Sequence, residues 1–395
     1  MQHLGLNSAQ LVAYVDALRA DAFLVTTVNV LDAAGNPIGP LSSDVSDGQV
    51  LVDRNAEVSR LLTLDLADPT GSLEFDPASA ADDALWLNNQ LQITASVWVE
   101  SVGDHVECPY FTGPIHRLWR DGGVVHVDAH SKERRMLRPL WSPLFISRDT
   151  TKVDAIRQIL AQAGETLFAL PTGTELLATS VSLARGDRPW RYAQAIAKSM
   201  NMQLYYRGDG YAALRELPNE PVFSFTRVDE NTEDTTLGDG DVAGAPRVWF
   251  ELGAQFANTV EILGAPPLAN KPRVRGVAYA PEDHPLSREN MATDPTRVET
   301  GVLVASHVVP QCRNDDQAKD IAQALIDEHL LGVTRARFDA TPFYHLEEGD
   351  FVQLDTPTTT VPYRLDRFGL PVGTRGRHVM TVGYHTKTSL DRRQP

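Results

Sequence analysis

At 395 residues the chain has room for roughly two to four structural units, and 42% hydrophobic against 22% charged residues describes an ordinary globular protein with ample core material. Acidic side chains outnumber basic ones, 52 to 36, for a formal charge of −16, which excludes a surface built to grip nucleic acid through clustered lysine and arginine. Cys108 and Cys312 make no disulfide framework and read as reduced, partly buried thiols. No apolar run reaches the ~20 residues of a membrane span. The amino terminus lacks the basic-then-apolar pattern of a signal peptide, so folding in the cytoplasm of the producing cell is expected.

Asn7 and Ser8 precede AQLVAYVDALRA, which sets Leu11, Val15 and Leu18 on one face of a short helix, and residues 1–21 read as a helical arm. Strands begin at Ala22. AFLVTTVNVLD, the turn AAGNPIG and GQVLVDR suggest a hairpin, and VSRLLTLDLAD aligns Leu62, Leu64 and Leu66 before the turn Asp68-Pro69-Thr70-Gly71. LQITASVWVE is the cleanest alternation, with Leu91, Ile93, Ala95, Val97 and Val99 inward and Gln92, Thr94, Ser96, Trp98 and Glu100 outward. Trp98 on a polar face reads in two ways, as packing beneath a loop or as a contact with another subunit. GPIHRLWRDGGVVHVDAHS makes a further hairpin turning at Asp121-Gly122-Gly123. Short strands separated by Gly, Pro and Asp turns predict a β-barrel or sandwich over residues 22–147, bounded by the RPLWSP corner that carries Trp141.

Residues 148–217 read as a small α+β module. Its first helix, KVDAIRQILAQAG, stops at Gly164; the second opens at Asp187-Arg188-Pro189, with Asp187 as N-cap, and aligns Trp190, Ala193, Ile196, Ala197 and Met200. The hairpin QLYYRGDGYAALREL turns on Gly208-Asp209-Gly210, where glycine supplies positive φ. Such a unit is too small to hold a large core alone and must lean on its flanks. From PVFSFTRV onward a second barrel is expected over 218–298 and 341–395, interrupted at 299–340 by a strand–helix–strand insertion with Ala318, Ile321, Ala322 and Leu325 on one helical stripe. Within it, Asp229 and Glu230 followed by NTEDTTLGDGDVAGAP, with Glu233, Asp234, Asp239 and Asp241, make an acidic, Gly-rich loop free of basic residues from Asp229 to Ala245. Such loops are ordinarily solvated surface; these acids, with Trp98 and Trp141, are also the interface candidates. The fold class is predominantly β with α+β modules: two β-barrel domains, a helix–helix–hairpin module between them and an α/β insertion in the second barrel.

Chemistry is represented by fragments. His126, Asp128 and His130 alternate on one strand face and are residue types that ligate zinc or iron, but along one straight strand they spread over ~13 Å and read better as a polar outer face. Glu347-Glu348-Gly349-Asp350 reads as a turn before a strand rather than an acid–base pair. Arg185-Gly186-Asp187 spells an adhesion tripeptide where a helix needs a turn and a cap. No GxSxG elbow, HExxH helix or GxxxxGKS loop occurs. No cofactor or metal is implied, and a non-enzymatic role is expected.

The order of these units resembles the tail hub proteins of long-tailed bacteriophages. RNAEVSRLLTLDLADPTGSL resembles the early hub strand, and DAIRQILAQAG with RPWRYAQAIAKSMNMQLYYRGDGYAALRELP the helical module. ANTVEILGA, QAKDIAQALIDEHL and HLEEGDFVQLDTP resemble the carboxy-terminal half. The resemblance implies a homotrimer in which two β units per chain form a pseudo-six-fold ring between the tail tube and three-fold tip proteins. It implies a virion location at the tail tip after synthesis in the host bacterial cytoplasm. The implied neighbours are a distal tail protein, a tape-measure protein and downstream tail-tip or receptor-binding proteins, with genomic DNA passing through unbound. Part of the acidic surplus would then line the channel. The chain ends soon after its last predicted strand, leaving no room for a wall-degrading domain. The competing reading is a β-rich module that binds a receptor or glycan directly.

Overall fold

The computed structural model describes residues 4–20, 24–41, 45–71, 73, 85–87, 89–227, 241–252, 256–265, 272–292, 302–373 and 380–383. Helix α1 (Ser8–Arg19) starts at Asn7, which forms a full capping box with Gln10, and buries Tyr14, Val15 and Leu18. Seven strands follow: β1 (Leu24–Leu31), β2 (Pro37–Pro40), β3 (Val45–Asp53), β4 (Arg60–Ala67), β5 (Gln90–Val99), β6 (Asp104–Asp121) and β7 (Val124–His130). The next stretch holds α2 (Glu133–Met136), β8 (Leu144–Ile146), α3 (Lys152–Gln162), β9 (Phe168–Ala169), β10 (Val181–Leu183), α4 (Pro189–Lys198), β11 (Met202–Tyr206) and β12 (Ala212–Glu216). Then come β13 (Phe223–Thr226), β14 (Val242–Phe250), β15 (Thr259–Leu263), β16 (Arg275–Tyr279), α5 (Arg288–Ala292), β17 (Val304–Val308) and α6 (Asp315–Leu331). Five strands complete the described chain: β18 (Thr334–Ala340), β19 (Phe351–Asp355), β20 (Thr360–Arg364), β21 (Arg367–Pro371) and β22 (Met380–Val382). No helix among the described residues is long and apolar enough to cross a membrane.

The chain is predominantly β, and its dominant element is a single sheet of 11 strands in the order β14-β18-β22-β21-β3-β4-β7-β6-β5-β1-β2. No closed barrel forms among the described strands; strands of the two expected β units run on in one sheet, joined where β21 pairs antiparallel with β3. One core serves both halves, running from Tyr14 through Leu62 and Ile93 to Phe338 and Val382. Register follows from the side chains. Leu62, Leu64 and Leu66 are buried, each gaining ~1.5–3 kcal/mol from leaving water, and a one-residue slip would turn all three outward. The expected hairpin of β1 with β3 does not form: β1 pairs with β2 and β5, while β3 lies between β4 and β21.

The helical module has its own core, in which Ile156, Ile159 and Leu160 of α3 meet Trp190, Ala193 and Ile196 of α4. Two local expectations need correcting. Arg188, not Asp187, is the N-cap of α4; Asp187 instead accepts from the Ala184 N–H and the Tyr192 hydroxyl, closing the turn before the helix. In the β11–β12 turn Gly210 has φ +83, but Gly208 is needed for close approach: it lies against β6, and the Thr112 hydroxyl donates to its carbonyl at 2.8 Å. The insertion is also drawn differently from the expected 299–340. Strands β15, β16 and β17 form a separate sheet under α6, with a core of Val260, Ile262, Ala278, Ile321 and Ile326, whereas β18 returns to the large sheet. Gly276 makes the helix–sheet contact possible, since any Cβ there would fall 2.2 Å from the Ala318 carbonyl carbon.

A methyl at Gly208 would lie 2.3 Å from Pro109 O and 2.5 Å from Tyr110 Cα, both backbone atoms of β6. Gly208→Ala is expected to destabilise the chain by about 1–3 kcal/mol, read as a lower urea midpoint. Gly373→Ala, where nothing lies within 4 Å, should stay within about 0.5 kcal/mol of the parent.

Candidate assembly surface

Buried and more exposed positions alternate along β4 and through most of β5 and β7, whereas β6 is buried on both faces from Tyr110 to Ile115. On the polar face of β7, His126, Asp128 and His130 do lie in line, but each has its own partner. His126 Nδ1 sits 2.6 Å from Asp65 Oδ1 and its ring stacks on Trp119 at 4.8 Å. Asp128 pairs with Arg117 at 3.2 Å, and His130 packs on His116 at 4.3 Å between ring centroids. Burial and the neighbouring His116 push the His130 imidazole down to about 4. The described residues contain no group of three such side chains disposed to hold a metal ion. Along the same face carboxylates cluster centrally, as at Asp47, Asp65 and Asp128, while Arg247 and Arg337 lie opposite each other at the β14 end.

Trp98 is 45% exposed and meets the His105 ring edge-on across the β5–β6 ladder. Trp141 is 81% exposed on the module's outer corner, with the Arg185 guanidinium 4.2 Å above its ring. Asp229, Glu230, Glu233, Asp234 and Asp239 lie outside the described residues. Asp241, grouped with them in the sequence, is instead buried at the head of β14. It takes two hydrogen bonds from Arg19, at 2.7 and 3.1 Å, and one from the Thr226 N–H. Its place is inside the chain, fastening α1 to the sheet.

The turn Glu347–Asp350 is a turn before a strand, with Gly349 at φ +82, yet it is wholly buried rather than solvated. The first β unit, the module and the second β unit each send a group to it. Arg60 of β4 faces Glu347 at 3.4 Å and Glu348 at 3.5 Å while donating to Tyr110 O at 2.8 Å. From the module, Arg215 donates to Asp350 at 2.8 Å and to the Glu348 carbonyl. Arg364 of β20 donates to the Gly349 carbonyl. Beside them Glu133 of α2 accepts from Ser59 at 2.7 Å and from Ser131. Burial pushes the Glu348 carboxyl up to about 8 despite Arg60, and raises Glu133 also. The insertion is tied in nearby: Arg54 pairs with Glu328 of α6 at 2.9 Å and with Asp366 at 3.2 Å. A cleft of about 820 Å³ opens between these units. The thiol of Cys108, in the core of the first half, is pushed up to about 12 by burial and is chemically inert. Arg60, Arg215 and Arg364 went unmarked in the sequence, where only the carboxylates 347–350 gave a signal.

Neither a protein-family model nor a curated protein sequence matches the chain. Solved structures do. A tail protein from Neisseria meningitidis MC58 superposes with a TM-score of 0.56 at 12% identity, covering 90% of this chain and 95% of that one. The 43 kDa tail protein of prophage MuSo2 from Shewanella oneidensis gives 0.56 at 10%, covering 90% and 97%. Prophage tail protein gp18 from Listeria monocytogenes EGD-e gives 0.50 at 11%, covering 92% and 96%. The fold is that of prophage tail proteins. The resemblance seen in the sequence is met at the level of architecture over nearly the whole chain.

In this tail-protein fold the buried turn sets two expectations. Arg60→Met leaves Glu347 and Glu348 buried without their cation and should cost about 3–5 kcal/mol in urea unfolding. Glu348 has a folded value raised from 4.5 to about 8, so its contribution to stability is complete below about pH 4.5 and is lost as pH rises through 8, at up to about 1.4 kcal/mol per pH unit. Urea midpoints of Glu348→Gln measured from pH 5 to 8 should lack that decline; an unchanged slope would remove Glu348 as its source.

Proposed function

We propose that the protein is a structural, non-enzymatic tail hub. In this reading three copies close into a pseudo-six-fold ring at the tail tip, joining the tail tube and distal tail ring to three-fold tip proteins and letting DNA pass during ejection. The observation that carries it is the continuous sheet. Two β units that share one sheet and one core cannot swing independently, which suits a rigid wall segment. The polar side of β4 and β7, with Asp65, His126 and Asp128, suits the lining or jacket of a tube. The likeness to prophage tail proteins supports a tail role in general.

Its partners would be the distal tail protein, the end of the tape-measure protein and downstream receptor-binding proteins, with Trp98 and Trp141 among the contacts. Central carboxylates such as Asp47 and Asp65 would repel phosphate over the ~8 Å Debye length at physiological salt, keeping DNA from adhering in transit.

Symmetry-resolved electron microscopy of the particle tests this. The expected result is three copies around an open axis, each contributing two β units to one ring, with acidic side chains toward the lumen. A single peripheral copy, or saccharide binding by the isolated monomer with no ring in the particle, would replace the hub with a receptor-binding module.

A further inference from the structure

The two ends of the 11-stranded sheet are built differently. At one end β2 reads Pro37-Ile38-Gly39-Pro40, and prolines on an edge strand lack the N–H that a new neighbour would need. At the other end β14 is bonded on one side to β18 and, among the described residues, open on the other. Glu251 N–H donates to Val333 O at 2.9 Å. By antiparallel alternation Trp249–Arg335 and Arg247–Arg337 are therefore the hydrogen-bonded pairs, and Val248 and Phe250 direct their N–H and C=O groups away from β18. Pro246 bounds this open edge on the amino-terminal side.

The side chains there are set for a particular visitor. Arg247 and Arg337 are both exposed and stand directly opposite each other, an arrangement that costs stability in the free chain. Neither has a carboxylate partner among the described residues. Phe250, at the end of the same strand, is 76% exposed on the other face. Open backbone groups, a like-charge arginine pair on one face and a bare aromatic ring on the other are complementary to a strand that alternates carboxylate and apolar side chains. The geometry points to β14 as the docking edge for an extended acidic segment of a different polypeptide, added as a twelfth strand. A second copy of this chain is a poor source through its own sheet ends, since β2 is blocked by proline and a second β14 would bring another Arg247–Arg337 pair against the first. A nucleic acid would use the arginines but neither the backbone edge nor Phe250. The inference stands whether or not three copies form a ring.

The test uses the full chain and a fluorescein-labelled nine-residue peptide of alternating Glu and Val, followed by fluorescence anisotropy, with a Lys–Val peptide and a short DNA duplex as comparisons. The Glu–Val peptide should bind, the Lys–Val peptide should not, and Arg247→Gln with Arg337→Gln should weaken binding at least about tenfold. Amide exchange at Val248 and Phe250 should slow in the complex. Arg337→Gln alone should keep or raise the Tm, because it relieves the arginine pair, which separates lost binding from lost folding. Four results would overturn the proposal: no binding of the Glu–Val peptide; equal binding of the two peptides; competition by the duplex with the same arginine dependence, which makes the patch a polyanion site; or self-association that the variants abolish, which makes the occupant a second copy.

Discussion

The buried turn at Glu347–Asp350 is the constraint on which the arrangement of units depends. Taking carboxylates out of water is costly, and the pairing with Arg60, Arg215 and Arg364 does no more than offset that cost. Its value is therefore specificity. Any docking of module against sheet that left Glu347 or Asp350 without its cation would strand a buried charge at several kcal/mol, while small errors in apolar packing cost far less. The turn is reached from β4, the module's hairpin and β20, so those three segments are held to one mutual geometry.

A second layer of fixation surrounds the first. Lys152 of α3, itself buried, pairs with Glu175 at 2.6 Å and donates to Ser199 O, and Gln317 at the start of α6 reaches the same two acceptors. Arg54 does similar work between the β3 end and α6. The insertion is thus hydrogen-bonded both to the module and to the sheet. Together these links explain how a helical unit too small to stand alone is held against the sheet and the insertion.

Local structure was readable from the sequence wherever side-chain periodicity determines it. Leu62, Leu64 and Leu66, the β5 alternation, the capped α1 and the α3–α4 pair all follow from period 2 or 3.6 in single segments. Long-range pairing was not readable. Nothing in VLVD or RFGLP says that β3 and β21 will share hydrogen bonds, so the continuity of the two β units through one large sheet was not foreseen. Likewise β15 and β16 look like any amphipathic strands, and only tertiary contact with α6 separates them from the large sheet. The candidate surface was half legible: the carboxylates of 347–350 and the polar face of β7 stood out by clustering. Arg60 and Arg247 are single arginines whose meaning comes from what lies opposite them.

The junction of the two halves also bears on how the protein is made. Arg367 and Asp53, which meet across the β3–β21 seam, are separated by 314 residues. While the ribosome is still delivering the later part of the chain, β3 has β4 on one flank and water on the other. Its backbone stays available to the wrong strands until residues 367–371 emerge. Closing that seam waits on a long loop, an entropically slow step, and until then the free flank of β3 is open to mispairing and aggregation.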